Sequence, residues 1–255
     1  MTTSAYTRVA VVTGAAQGIG RSIALRLAAD GLNVIVNDLQ SQQGALGEVV
    51  AEIETKGVKA VAYTGNVSVE DDVKNLVQKA VEKFGRLDVM VANAGFGGQI
   101  SAITDVSLDE WRGLMSVNLD GVVLCYKYAA AQMIKQGDGG RLIAASSICG
   151  KKGFARLTAY CASKFAIRGL TQCLALELAE HNITVNAYAP GIIPTKLTKS
   201  VGDGGLDPIK ELMKLPDART GTTEDIAAFV SHVASPQSKF MTGQTVIIDG
   251  GICFD

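Results

Sequence analysis

Tyr160 and Lys164 stand four residues apart in Thr158-Ala159-Tyr160-Cys161-Ala162-Ser163-Lys164. In a helix that step is about one turn, which puts a phenol and an ammonium side by side on one face. A phenol ionises near pH ~10 in water, and a fixed positive charge close by favours the phenolate, so the pair can trade a proton near neutrality. Two hydroxyls, Ser146 and Ser147, lie upstream and reach the pair only if a strand and loop return the chain to the helix start. Taken alone, the spacing describes an ordinary amphipathic helix with a solvated lysine. The elements around it decide between the two.

Those elements alternate. Short β-branched runs at Val9 to Val12, Val34 to Val36, Ala60 to Tyr63, Val89 to Val91, Leu142 to Ala144, Thr184 to Ala187 and Val246 to Ile248 are separated by helical patterns. The helical patterns cover 19–29, 42–56, 69–84, 108–136, 158–181 and 223–235. Continuous apolar strands alternating with helices predict an α/β, doubly wound Rossmann-type fold, with a central parallel sheet of about seven strands covered on both faces. Ligands of such sheets sit at the carboxyl ends of the strands.

Candidate binding residues fall at those ends. Between the first strand and first helix runs Thr13-Gly14-Ala15-Ala16-Gln17-Gly18-Ile19-Gly20, where glycines let the backbone approach a pyrophosphate and the first free helix amides donate to it. Asp38, at the end of the second strand, can accept from ribose hydroxyls and repel a 2′-phosphate. Gln17 and Leu39 supply no cation for that phosphate, so NAD is favoured over NADP. Asn66-Val67-Ser68 and Asn93-Ala94-Gly95 follow later strands and suit a wall against purine and ribose, although Ser68 also reads as a helix N-cap. Asn118 interrupts an apolar helix. It is a core amide bonded to backbone, an amide that holds a water in a proton path, or both. The loop from Ala189-Pro190-Gly191-Ile192-Ile193-Pro194-Thr195 to about 220 reads as a substrate lid with apolar members Leu197, Val201, Leu206, Ile209, Leu212 and Met213.

The whole chain bounds the function further. Its 255 residues hold no Pro/Ser-rich linker or charge block, so a single domain over 1–255 is expected, with a loop insertion at about 192–220. A formal net charge of −1 gives no sign of nucleic acid or an anionic membrane as partner. No apolar run reaches ~18 residues, and Met1 to Arg8 lacks the apolar core of a signal peptide, so a cytoplasmic protein is expected. Five cysteines without ligand spacing and two histidines predict neither disulfide nor metal site.

With these residues in view, the chain resembles the short-chain dehydrogenase/reductase family in its compact single-domain branch. The likeness rests on Thr13-Gly14-x-x-x-Gly18-Ile19-Gly20, Asn93-Ala94-Gly95, Asn118, Ser147, Tyr160-x-x-x-Lys164 and Pro190-Gly191-x-x-x-Thr195, in the family's order and spacing. The resemblance implies that Tyr160 is the general acid/base, that Lys164 holds the nicotinamide ribose and depresses the Tyr160 pKa, that Ser147 orients the substrate oxygen and that Asn118 anchors a relay water. It also implies that Pro190, Gly191, Ile193 and Thr195 contact the nicotinamide end and that Asn66 and Val67 contact adenine. Asn66 stands where many members carry Asp, its amide oxygen still able to accept from the adenine amino group, and Ala92 replaces the first Asn of the common Asn-Asn-Ala-Gly. Within the family the likeness is greatest to acetoin/diacetyl reductases and 2,3-butanediol dehydrogenases. It lies in the helix from Ala162 to Gln172 and the tail from Met241 to Gly251 rather than in the pocket.

The expected activity is hydride transfer between NAD(H) and a secondary alcohol or ketone. Alternatives are an NADPH-dependent 3-oxoacyl or secondary-metabolite ketoreductase, and a non-catalytic dinucleotide-binding sensor. Phe96, Gly97, Gly98, Gln99, Ile148, Cys149, Phe154, Leu157, Ile192 and the 196–215 loop suggest a small-molecule substrate that is fairly apolar. Lys151 and Lys152 read as exposed loop lysines in preference to contacts for an acidic substrate. Cys149 and Cys161 read as small packing residues, since no His or acid lies near them in sequence. Surplus apolar surface on 158–181, together with the family's habit of pairing this helix, implies a homotetramer.

Overall fold

A computed structural model of the chain describes residues 6–199 and 205–254. In chain order the elements are β1 (Val9–Thr13), α1 (Gly18–Ala29), β2 (Asn33–Asp38), α2 (Gln43–Glu54), β3 (Ala60–Thr64), α3 (Glu70–Phe84), β4 (Val89–Ala92) and α4 (Leu108–Met115). A π-turn (Ser116–Asp120) leads into α5 (Gly121–Gln136), then β5 (Gly140–Ala145), a 3₁₀ turn (Ile148–Gly150), α6 (Thr158–Glu177) and β6 (Ile183–Pro190). The chain continues with α7 (Lys196–Lys199), α8 (Asp207–Leu212), α9 (Thr223–Ala234) and β7 (Thr245–Ile248). All seven strands are parallel, in the order β3-β2-β1-β4-β5-β6-β7.

The reason for the layering is visible in β1. Every residue of Val9–Thr13 is buried, and successive side chains feed opposite cores. Val9 and Val11 join the cluster made with Leu76 of α3, Tyr126 of α5 and Ile167 of α6. Ala10 and Val12 join the one made with Ile23 of α1, Val49 of α2 and Val230 of α9. Left-handed glycines at Gly85 and Gly137 end α3 and α5, where a side chain would be strained. Capping boxes, Ser107 with Glu110 and Thr222 with Asp225, start α4 and α9.

Three local features differ from the sequence expectation. The helix expected over 108–136 is interrupted by the π-turn that carries Asn118. Residue Val69, not Ser68, occupies the N-cap of α3, because Ser68 donates both its backbone N–H and its hydroxyl to Asn66 Oδ1. The segment expected as loop holds α7 and α8, while Val201 lies outside the described residues. No helix among the described residues is long and apolar enough to cross a membrane.

Candidate active site

The strand order reverses at β1, with β2 and β3 on one side and β4 to β7 on the other. That switch point opens a crevice at the carboxyl ends of the strands. A cleft of about 710 Å³ lies there, lined by Gly14, Gln17, Gly18, Ile19, Gly20, Asp38, Leu39, Asn66, Val67, Asn93, Ala94, Gly95, Tyr160, Lys164, Pro190, Gly191, Ile193 and Thr195, so every binding residue expected from the sequence reaches it. Gly14 and Gly18 adopt φ of +64° and +55°, and a Cβ on Gly20 would fall inside van der Waals contact of the Gly14 carbonyl oxygen. The N-terminus of α1 has no side-chain cap and no acid in its first turn, leaving its first amides for an anion. Beside it the Asp38 carboxylate accepts from Ala16 N at 3.1 Å and Leu39 N at 2.9 Å, which fixes its orientation at the rim. These features fit a dinucleotide: a glycine cradle, an uncapped helix start and a fixed carboxylate.

The cleft is held in shape by a clasp that the sequence reading missed. Asn93 Nδ2 donates to Thr13 O at 2.8 Å and Gly14 O at 3.2 Å, while its Oδ1 accepts from the Tyr188 hydroxyl at 2.8 Å. Thr13 Oγ1 accepts in turn from Asn93 N and Ala94 N. β1, β4 and β6 are thereby bolted together at their carboxyl ends, and the Asn93 amide is a brace as well as a wall. Thr13 shows only as the residue before the glycines, and Tyr188 reads as one more buried strand residue. Asn66 is also committed locally. Its amide oxygen, expected to accept from adenine, already accepts twice from Ser68, and its N–H donates to Asp72 Oδ2 at 2.8 Å.

The chemistry-bearing side chains converge where the cleft turns inward. Tyr160 is on the first turn of α6, and Ser147, which follows β5 and whose hydroxyl accepts from Cys149 N at 3.1 Å, lines the same cleft and cavity. Ser146 points elsewhere, donating to the Lys164 carbonyl at 3.1 Å. Lys164 is 3% exposed; Nζ donates to Ala145 O at 2.8 Å and lies 5.5 Å from the Tyr160 ring centroid. Burial lowers the Lys164 pKa to about 8. Burial also pushes the Tyr160 phenol well up, and the Ser147 hydrogen bond works against that shift. The expected depression of the Tyr160 pKa by Lys164 is therefore not what this arrangement produces. The ammonium sits toward the ring and gives a hydrogen bond to a carbonyl, and desolvation dominates both groups. Asn118 is fully buried, exchanging hydrogen bonds with Phe96 N (3.0 Å) and Phe96 O (2.9 Å). The core-amide reading of Asn118 is thus met, and the π-turn is the helix interruption that permits it.

A second cavity of about 450 Å³ adjoins the first and shares Ser147, Tyr160, Gly191, Leu197 and Thr198 with it. Its remaining walls are Gly97 to Ile100, Ile148, Cys149, Leu157, Ile192, Ile209 and Met213, mostly apolar, with Ile209 and Met213 brought in by α8. Of the pocket residues expected from the sequence, Phe96 lines the first cleft instead and Phe154 packs behind the second. Lys151 and Lys152 line neither, and Lys152 sits 6.0 Å over the Phe154 ring.

A family model described as enoyl-(acyl carrier protein) reductase matches residues 14–253. A short-chain dehydrogenase/reductase of Armillaria gallica is 47% identical over 255 residues, covering 97% of each chain. The 3-oxoacyl-[acyl-carrier-protein] reductase of Staphylococcus aureus is 42% identical over 248 residues, covering 96% of this chain and 98% of that one. Among solved structures, acetoin dehydrogenase from Enterobacter cloacae superposes with a TM-score of 0.84 at 36% identity, over 97% and 96% of the two chains. Carveol dehydrogenase from Mycobacterium avium in complex with NAD does so at 0.89 and 28%, over 97% and 98%. A matching family model over nearly the whole chain, and relatives of the same length, place the protein among the oxidoreductases: it belongs to the short-chain dehydrogenase/reductase family.

Proposed function

We propose that the protein is an NAD(H)-dependent oxidoreductase that interconverts a fairly apolar secondary alcohol and its ketone. One observation carries the reading: Ser147 and Tyr160 both lie on the wall common to a dinucleotide-shaped cleft and an apolar cavity. When bound, the dinucleotide supplies or accepts hydride at C4 of its nicotinamide. In the reducing direction the Ser147 hydroxyl holds the substrate oxygen and the Tyr160 phenol donates the proton that oxygen needs. Burial keeps the phenol protonated, the form that donates. In the oxidising direction the same oxygen atom of Tyr160 takes the alcohol proton, and the Ser147 hydrogen bond favours the phenolate that must exist beforehand. Lys164 and Asp38, both on the cleft wall, would hold the nicotinamide and adenosine riboses respectively. Asn118 would serve the same proton path by anchoring a water beside Lys164.

The cavity supports a substrate larger than a small diketone, since about 450 Å³ falls in the range of drug-sized ligand sites and its lining is chiefly hydrocarbon. One domain then carries both sites. α6 presents Phe165 and Leu176 to the outside, 42% and 82% exposed, and α5 presents Val123 and Ile134, which supports pairing of these helices in a homotetramer. The Staphylococcus aureus relative favours one second reading, an NADPH-linked 3-oxoacyl reductase. Initial rates with NADH and NADPH on a graded panel of ketones decide between them. NADH turnover rising with apolar bulk is the expected result, and a strong NADPH preference would overturn the Asp38 assignment.

A further inference from the structure

Asn66 lines the cleft beside Asp38, whose carbonyl accepts from Gly65 N at 3.0 Å. Its polar groups can be accounted for one by one. The backbone N–H donates to Asp72 Oδ2 at 2.8 Å, and the carbonyl accepts from Val69 N at 2.9 Å. The side-chain oxygen accepts from Ser68 N at 3.0 Å and from Ser68 Oγ at 2.9 Å. A main-chain N–H only donates, so the amide cannot turn over without setting Nδ2 against the Ser68 N–H. Nδ2 is the one polar atom of Asn66 with no partner among the described residues, and it is not sealed from solvent. We infer that Asn66, held by Ser68, makes the base end of the cleft a hydrogen-bond donor, so that the protein takes a dinucleotide whose adenine is replaced by a 6-oxo purine without loss of affinity.

An asparagine that reads adenine uses both ends of its amide: the oxygen accepts from the 6-amino group while the nitrogen donates to N7. Asn66 has only the second contact to give. The next donor along the chain is the Val67 N–H, which likewise has no acceptor among the described residues, on a residue that also lines the cleft. Two adjacent donors match the edge of a 6-oxo purine, where O6 and N7 both accept; adenine sets an amino group beside N7 instead.

The acceptors close by are engaged elsewhere. Asn37 gives Nδ2 to Tyr63 O and Gly65 O, both at 3.1 Å, and its side-chain oxygen is buried. The Asp38 carboxylate, held by Ala16 N and Leu39 N, is the ribose partner in the reading above. An aspartate at position 66 is the contrast. With two oxygens it bonds Ser68 through one and an amino group through the other. A single atom, nitrogen for oxygen, separates the two recognition patterns.

The inference rests on the dinucleotide reading of the cleft and not on the catalytic one. Calorimetric titration of the whole protein with NADH and with its hypoxanthine analogue, which differ at the base alone, tests it without turnover. The two dissociation constants should agree within about threefold, because no bond to the amino group is lost; a site that makes such a bond loses about tenfold. Asn66→Asp should create that bond and weaken the analogue relative to NADH by roughly tenfold. The ratio within each variant is what is read, so a general loss of affinity does not disturb it, and if Asn66→Asp does not fold the native ratio decides alone. A native preference for NADH beyond the threefold margin would overturn the inference and leave the dinucleotide reading standing. A ratio that Asn66→Asp leaves unaltered would overturn it too, since position 66 would then not touch the base. Binding of neither dinucleotide would overturn both readings together.

Discussion

The cleft at the β1/β4 switch point is walled by backbone and by side chains bonded to backbone, whereas the cavity beside it is walled by apolar side chains from loops and from α8. In the cleft, Asp38, Asn93 and Lys164 each spend hydrogen bonds on main-chain atoms. In the cavity, the side chains of Ile192, Ile209 and Met213 are placed by packing. Directional bonds on strand ends fix positions to a fraction of an ångström; packing in loops tolerates exchange at similar volume. Under the proposed function, the reaction is specified on the rigid side and the reactant on the adaptable side.

Substitutions can break or sharpen that division. The largest effect is expected for Tyr160→Phe, which keeps the ring and deletes the proton donor on the shared wall. Turnover should fall by roughly 10²–10⁴, with an unchanged thermal melt, and near-normal turnover in the folded variant would sink the mechanism.

Next is Lys164, the buried charge on the rigid side. Its pKa falls from 10.5 to about 8 on folding. Between those values the unfolded chain binds the extra proton, so the Lys164 contribution to stability rises with pH across that window and is most unfavourable below pH 8. Lys164→Met, which does not titrate, should be more stable than the native protein near pH 7 by an amount on the order of 3 kcal/mol. The gap should close toward pH 10.5 in urea titrations, while dinucleotide affinity is lost. A gap that ignores pH would show that the ammonium is not desolvated.

Gly20→Ala places a methyl against the Gly14 carbonyl and should cost about 1–3 kcal/mol, seen as weaker NADH fluorescence enhancement. Gly113→Ala, with no atom near its added Cβ, should leave binding unaltered. Equal losses would mean the cradle is not the binding element. The smallest effect is expected on the adaptable side. Met213→Ala should raise KM for bulky apolar ketones by about tenfold and leave kcat and small ketones alone. A matching loss for small ketones would dissolve the contrast between the two regions.

The same contrast explains what could be read from the sequence. β1 and the glycines after it are legible because continuous β-branched residues and forced backbone turns are local properties. Tyr160 and Lys164 are legible because a helix makes residues four apart into neighbours. The placement of Ser147 and Tyr160 on one wall needs β5, the 3₁₀ turn and α6 in register, so spacing alone leaves Ser146 as a rival. The Thr13-Asn93-Tyr188 clasp joins three strands distant in sequence, and no local pattern announces it. α8 hides in a loop because six residues carry too little periodicity. The direction of the Tyr160 shift depends on how much water burial removes and on where the Lys164 ammonium points, neither of which a spacing encodes.

The clasp has a kinetic consequence. With Asn93 bonded to the ends of β1 and β6, the gap between the two halves of the sheet is set during folding. A dinucleotide then meets a crevice of final width, and no fraction of the population must wait for the halves to part. Ordering entropy that a hinged site would surrender at each association is here surrendered once per molecule, during folding.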